Sequence, residues 1–167
     1  VLSQIFSQWQ VKIMTDGYYR YPTIHNDTVV FVSEDDLWTV SKEGGIARRL
    51  TANLGETAWP SLSPDGTRLA FIGREEGEAE VYCMPAMGGQ AKRLTYLGAR
   101  THVAGWVPNT NNVIFASNSA QPFSQLYHLY SVSAEGGQPE KLATGPAVSI
   151  SYDAKDANQG CVIGRNT

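Results

Sequence analysis

Short apolar runs, each four to six residues long, alternate with polar turn residues along most of the chain. The clearest runs are 28–32 (Thr-Val-Val-Phe-Val), 68–72 (Arg-Leu-Ala-Phe-Ile) and 112–116 (Asn-Val-Ile-Phe-Ala). Their β-branched and aromatic residues fit a pleated, half-buried surface. Continuous apolar character over so few residues is typical of strands that are covered on both faces. No segment after residue 20 keeps a 3.6-residue period for long, so the pattern predicts an all-β protein.

The first twenty residues differ from the rest and are interpreted as an N-terminal extension, either non-native or an edge strand. Leu2, Ile5, Phe6 and Trp9 would share one helical face, although a strand through Val11 and Ile13 fits equally well. The chain begins with Val and shows no basic segment followed by an apolar one, so no signal peptide is predicted.

A set of residues recurs along the chain at a spacing of about 44 residues, within the range of known structural repeats. Each copy has an aromatic residue in an apolar run, then a Gly-Gly pair, then Leu-Thr or Leu-Ala. The aromatic residues are Trp38, Tyr82 and Tyr130, and the Gly pairs begin at positions 44, 88 and 136. Upstream, four apolar residues occupy equivalent places: Ile24, Leu62, Trp106 and Ile150.

Each copy predicts four strands, which is one blade of a β-propeller by period and strand count. The apolar anchor lies on the first strand, the Val/Ile/Phe run forms the second, and the recurring aromatic residue lies on the third. The Gly-Gly turn, which tolerates positive φ, leads into a short fourth strand. The predicted blades are 21–51, 52–95 and 96–143, with 144–167 as the start of a fourth. The recurring aromatic residues are predicted to be buried between blades, as a repeated interface requires.

The number of blades indicates that this is part of a larger ring. The residues from 20 to 167 hold about 3.4 units, whereas propellers have about four to eight blades. An incomplete blade leaves an unpaired sheet edge, which proteins normally avoid. The chain is therefore expected to belong to a larger propeller or to close by pairing with another chain, as a homo-oligomer.

Composition excludes several classes of function. Apolar residues make up 42% of the chain and charged residues 17%, and the net charge is −3. Without basic clusters, nucleic acid is not an expected partner, and no apolar run approaches the length of a membrane span. Two cysteines, Cys83 and Cys161, are too few for a disulfide framework or a four-thiolate zinc site.

Several stretches resemble the N-terminal six-bladed propeller of tricorn proteases, a family with TolB-like, WD40-like repeats. The resemblance covers 21–167, and its most specific parts are Gln121-Pro122-Phe123-Ser124 and Ile163-Gly164-Arg165-Asn166-Thr167. Further stretches are Asp35-Asp36-Leu37-Trp38, Asn53-Leu54-Gly55, Arg93-Leu94-Thr95-Tyr96, Val103-Ala104-Gly105-Trp106 and Gly145-Pro146-Ala147.

The resemblance implies a segment of a large cytoplasmic serine peptidase that trims oligopeptides. In such an enzyme this segment would be a non-catalytic channel or scaffold, with oligopeptides and the remaining domains of the parent chain as partners. The catalytic serine and histidine would lie beyond residue 167, so no catalytic residue and no cofactor is predicted here. Two alternatives stay open: a TolB-like propeller that binds other proteins outside any enzyme, and a truncated or engineered propeller piece without a ligand.

Arg100 is the one residue with a specific functional prediction. In tricorn proteases, a pair of arginines before the Val-Ala-Gly strand is thought to anchor the C-terminal carboxylate of a peptide. A planar guanidinium can bind a carboxylate with two hydrogen bonds. Here the loop Leu97-Gly98-Ala99-Arg100-Thr101-His102 has one arginine and is shorter. Arg100 is therefore either a remnant of that anchor or an ordinary loop residue.

The remaining polar and nucleophilic residues are interpreted as structural. No nucleophile elbow and no metal-binding spacing occurs. Histidines on three different units are expected to have structural or solvent roles, and both cysteines are expected to pack in the core. Adjacent carboxylates are expected to be turn and surface charges. These residues are His25, His102, His128, Cys83, Cys161, Asp35-Asp36 and Glu75-Glu76.

Overall fold

A computed structural model describes residues 18–52, 54–153 and 159–164. Within these ranges the chain forms fourteen β-strands and no helix, which confirms the all-β prediction. The predicted N-terminal helix or strand within residues 1–13 lies outside the described residues.

Three four-stranded antiparallel sheets follow one another along the chain, each built from four consecutive strands in order. The first sheet contains β1 (Arg20–His25), β2 (Thr28–Ser33), β3 (Asp36–Ser41) and β4 (Arg48–Arg49). The second contains β5 (Ala58–Leu62), β6 (Arg68–Gly73), β7 (Glu80–Pro85) and β8 (Lys92–Arg93). The third contains β9 (Thr101–Trp106), β10 (Asn112–Ser117), β11 (His128–Ser133) and β12 (Glu140–Pro146). A two-stranded sheet follows, with β13 (Ser149–Tyr152) and β14 (Gly160–Ile163).

The turn between β5 and β6 shows how the local sequence stabilises the connection between two strands of a sheet. The Asp65 carboxylate accepts hydrogen bonds from Ser63 Oγ at 2.6 Å, Thr67 N at 3.0 Å and Thr67 Oγ1 at 2.8 Å. Because these bonds favour the charged form, the pKa of Asp65 falls to about 2. Gly66 has φ +71°, and a Cβ there would lie 2.3 Å from the His25 ring. The position therefore requires glycine for its backbone conformation and for its contact with the first sheet.

The core lies between the sheets, because alternate residues of the second strands face opposite neighbours. Leu69 and Phe71 of β6 pack into one cluster with Val30 and Val32 of β2. Ala70 and Ile72 of β6 pack into another, which joins the second and third sheets. A third cluster lies between the third sheet and β13. Continuous apolar runs are needed for this arrangement, since every side chain of such a strand is covered.

The prediction that the three recurring aromatic residues are buried between sheets is right for Tyr82, right in part for Tyr130 and wrong for Trp38. Tyr82 is 3% exposed and stacks on Phe71, with ring centroids 5.7 Å apart. Trp38 is only half-buried, because it lies opposite Phe31 on the first sheet's face away from the second. No other sheet of the described residues covers that face. Tyr130 is also half-buried, at the margin of the cluster between the second and third sheets.

The four predicted anchors on the first strands also differ in burial. Leu62 and Trp106 are buried, and each packs against the sheet before its own. Ile24 is 61% exposed, since no sheet of the described residues precedes the first. Ile150 is half-buried against the third sheet.

The third sheet departs from the repeat at its last strand. β12 runs to Pro146, which pairs with His128, and the register shifts between His128 and Tyr130. The predicted third blade ends three residues earlier, at 143. Nδ1 of His128 is buried and has no hydrogen-bond partner among the described residues.

Candidate functional site

The first strands of the four sheets lie side by side and form one wall. Leu62 N donates to Thr23 Oγ1 at 3.4 Å, which links β5 to β1. The indole Nε1 of Trp106 donates to Ser61 O at 3.0 Å, which links β9 to β5. His102 Nε2 lies 2.8 Å from Val148 O and so links β9 to the residue that precedes β13. Side-chain to main-chain bonds therefore join adjacent first strands that share no sheet.

Two adjacent cavities lie along this wall and share part of their lining. One has a volume of about 510 Å³ and is lined by Trp59, His102 and Val148 together with other residues of β5 and β9. The other, of about 350 Å³, extends past His25 and Tyr152. They share three small residues, Ser61, Ala104 and Gly105. The wall is therefore lined by small side chains at its middle and by rings towards both ends.

Four rings form a continuous row across the wall, here called the aromatic row: Tyr21, Trp59, His102 and Tyr127. The centroid distances are 4.6 Å between Tyr21 and Trp59, 5.2 Å between Trp59 and His102, and 5.8 Å between His102 and Tyr127. These distances fall in the range of favourable ring contacts. Trp59 remains 43% exposed, so its ring is open to the cavity.

His102 is a partly buried member of the aromatic row. Burial disfavours the imidazolium and lowers the pKa of His102 below 6.5, although the hydrogen bond with Val148 O acts in the opposite direction. The neutral ring donates from Nε2 to that carbonyl. At neutral pH the larger cavity therefore has an uncharged lining.

Arg100 lies beside a separate cavity of about 530 Å³, between the loop before β9 and the loop after β10. Its backbone is fixed, because Arg100 N donates to Asn118 Oδ1 at 3.0 Å and Asn118 N donates to Arg100 O at 3.2 Å. The side chain is exposed, and no carboxylate among the described residues forms an ion pair with it. Glu78, Gln121 and Ser124 also line this cavity.

Glu80, which the sequence analysis missed, holds the loop that leads to Arg100. It is 1% exposed, and its Oε1 accepts the amides of Leu97 at 2.7 Å and Gly98 at 2.8 Å. Arg93 Nη2 lies 3.4 Å from the same oxygen and partly balances the buried charge. The first sheet has a similar pair, in which Thr51 donates to Asp36. Both units contain an acidic residue followed fifteen residues later by a threonine. This spacing is the sequence pattern from which the buried acid–threonine pair could have been predicted.

Several structural interpretations are corrected. Cys83 is buried as predicted, but Cys161 is exposed, since its strand β14 pairs with β13 alone among the described strands. Asp36 is 8% exposed and pairs with Arg49, so it is not a surface charge. Asp35, Glu75 and Glu76 are exposed as predicted.

His25 and His102 line the two cavities of the wall, whereas His128 lies on β11, the third strand of its sheet. Among the described residues, no cluster of three or more His, Cys, Asp or Glu side chains could hold a metal ion. Within the same ranges, no helix has the length and apolarity needed to cross a membrane.

Comparison with known proteins identifies relatives along nearly the whole chain. The family described as "Tricorn protease N-terminal beta propeller domain" matches residues 16–164. "Tricorn protease homolog 1" of Streptomyces coelicolor is 35% identical over 150 residues, which cover 89% of this chain and 14% of that protein. The "Putative Tricorn-like protease N-terminal subunit" of Sulfurisphaera tokodaii is 30% identical over 139 residues, covering 80% of this chain and 70% of that protein.

A solved structure shows the same arrangement of sheets. The crystal structure of the tricorn protease superposes with a TM-score of 0.74 at 32% sequence identity, over 83% of this chain and 14% of that one. The chain thus spans about one seventh of these longer relatives and most of the shorter one.

Proposed function

Because this chain belongs to the tricorn protease N-terminal β-propeller family, we propose that its first-strand wall guides oligopeptides in a tricorn-like serine peptidase. The chain itself supplies binding and not bond cleavage. The observation that carries the proposal is the pair of adjacent cavities along β5 and β9, which share Ser61, Ala104 and Gly105.

The lining of the wall suits an extended peptide. Small side chains at its middle leave room for a backbone to pass. Register shifts in β1, β5 and β9 interrupt regular pairing, and such bulges locally disrupt the ladder of main-chain hydrogen bonds. A passing peptide would therefore meet both small apolar surfaces and main-chain groups, which is a sequence-tolerant lining.

Arg100 is the proposed anchor for the C-terminal carboxylate of the peptide. Its guanidinium has no ion-pair partner among the described residues, while its backbone is held by Asn118 and the preceding loop by Glu80. Because the backbone is already ordered, binding costs less entropy. A guanidinium without an ion-pair partner among the described residues can bind a carboxylate through two hydrogen bonds.

The test is a titration of the chain with acetyl-Ala-Ala-Ala as the free acid and as the amide, followed by NMR chemical shifts. The free acid is expected to bind about tenfold more tightly, as for a charge-assisted hydrogen bond. Arg100→Gln should abolish that difference, whereas Arg48→Gln, on exposed β4, should leave it intact. Equal affinity for acid and amide would refute the anchor, and absence of binding to either would refute the guiding role.

We further propose that the parent protein acts in the cytoplasm and that the wall works beside other domains of that protein. The short Sulfurisphaera relative, named as an N-terminal subunit, supports a propeller portion that associates with separate chains. We also propose that this chain self-associates. The face of the first sheet that carries Phe31 and Trp38 is only partly covered, so a second copy could pack against it. A TolB-like role in protein binding alone is the outcome favoured if no peptide binds.

A further inference from the structure

We propose that the aromatic row is a subsite for the aromatic side chain of a peptide's C-terminal residue, which inserts into the cavity beside Trp59. The inference rests on the proposed peptide-guiding function and specifies the class of peptide. Ring stacking would supply the selectivity, and the carboxylate of the same residue would turn towards Arg100.

The backbone beneath the aromatic row is strained at two equivalent positions of the first strands. Tyr21 and Trp59 both have φ of +51°, which is an outlier for bulky residues, and each is followed by a proline. Both residues fall within a register shift of their strand, between Arg20 and Thr23 and between Ala58 and Ser61. Bulges of this kind redirect side chains and occur preferentially beside functional sites.

This backbone conformation leaves the Trp59 indole partly exposed rather than buried. The Tyr21 and His102 rings both contact the Trp59 indole, yet the indole stays 43% exposed. A tryptophan that served packing alone would be covered more fully. The exposed part of the ring faces the cavity of about 510 Å³, which can hold an aromatic side chain.

The charges around the cavity determine which kind of peptide side chain can bind in it. Among the described residues, no carboxylate, lysine or arginine lines this cavity, and burial lowers the pKa of His102 and so favours its neutral form at pH 7. Arg100 lines the neighbouring cavity but lies only two residues before His102, and the bond from Asn118 N to Arg100 O continues the β9–β10 pairing by one residue. Two residues of extended chain span about 6.6 Å, and residues two apart lie on the same side. A neutral ring with a carboxylate on its own backbone matches this charge pattern, whereas a lysine or arginine side chain would be repelled by Arg100.

The experiment uses four acetylated tripeptides: Ala-Ala-Phe and Ala-Ala-Ala, each as free acid and as amide. Dissociation constants are measured with the 167-residue chain and with Trp59→Leu, Trp59→Phe and Trp38→Leu. Trp38→Leu is the matched control, because that ring lies on the outward face of the first sheet. Circular dichroism and urea unfolding establish that each variant is folded.

The expected result is that the Phe acid binds three- to tenfold more tightly than the Ala acid, the size of one ring contact. Trp59→Leu should remove this preference, Trp59→Phe should keep part of it, and Trp38→Leu should keep all of it. In the unaltered chain, the indole NMR signal of Trp59 should shift with the Phe acid more than with the Ala acid. That comparison stands even if a Trp59 variant fails to fold.

Each contrary outcome has a distinct meaning. If Ala and Phe acids bind equally and both are weakened by amidation, the aromatic subsite is wrong while the carboxylate anchor stands. If the Phe preference survives Trp59→Leu, the subsite is likewise overturned. If no peptide binds, the subsite falls together with the proposed guiding function.

Discussion

The hydroxyl of Thr95 donates a 2.5 Å hydrogen bond to the buried carboxylate of Glu80 and accepts the Val81 amide at 2.9 Å. One side chain thus satisfies a buried charge and a main-chain donor at the edge of β7. In the first sheet, Thr51 contacts Asp36 and Leu37 in the same way. In the third sheet His128 and Ala143 stand at these positions, and the longer β12 pairs with His128 instead.

We expect Thr95→Val to lower the free energy of unfolding by about 2–4 kcal/mol, because it leaves a buried carboxylate and a buried amide with fewer partners. Thr95→Ser keeps the hydroxyl and should cost much less. Urea unfolding of the two variants measures the difference. Equal losses would mean that the methyl group, and not the hydroxyl, is what matters.

Tyr82→Ala should destabilise the chain by about 3–5 kcal/mol, since a fully buried aromatic side chain is lost from between two sheets. Trp38→Ala should cost roughly half as much, because its larger ring is only half-buried. The comparison uses urea midpoints at constant m-value. A greater loss for Trp38 would show that its face of the first sheet is covered in solution.

His102 should make stability depend on pH below neutrality. Its pKa is lowered in the folded state, so the unfolded chain binds the proton more readily as pH falls through about 6.5. Stability should therefore be full above pH 7 and should decline towards pH 5. His102→Phe should flatten that part of the curve. A variant curve parallel to that of the unaltered chain would contradict this.

The two cysteines should react at very different rates with a thiol reagent such as Ellman's. Cys161 is exposed and should react at once, whereas Cys83 is buried and burial raises the pKa of its thiol. One thiol per chain is expected in buffer and two in urea. The variant Cys161→Ser should show almost no reaction until it is unfolded. Two fast thiols in buffer would mean that β7 opens readily.

The repeat allowed the sheets to be predicted, because Phe31, Phe71 and Phe115 recur in runs that must be strands in every copy. Burial was harder to predict, since it depends on which neighbour covers each face: Tyr82 and Trp38 share a repeat position and differ in exposure. The aromatic row escaped prediction, because Trp59 and His102 become neighbours only when separate first strands lie side by side. Arg100 was singled out by resemblance alone, and the role of Glu80 in holding its loop depends on contacts across seventeen and eighteen residues.

The alternate facing of side chains along β6 has a consequence for the order in which the chain opens. Since Leu69 and Phe71 belong to one cluster while Ala70 and Ile72 belong to the next, the second sheet loses two interfaces if it detaches, whereas the first sheet has one such interface among the described residues. Stability in such an array is a sum over nearest neighbours, so opening proceeds inwards from the ends. Amide hydrogens of β14 and β1 should therefore exchange with solvent first, and those of β6 and β7 should exchange last.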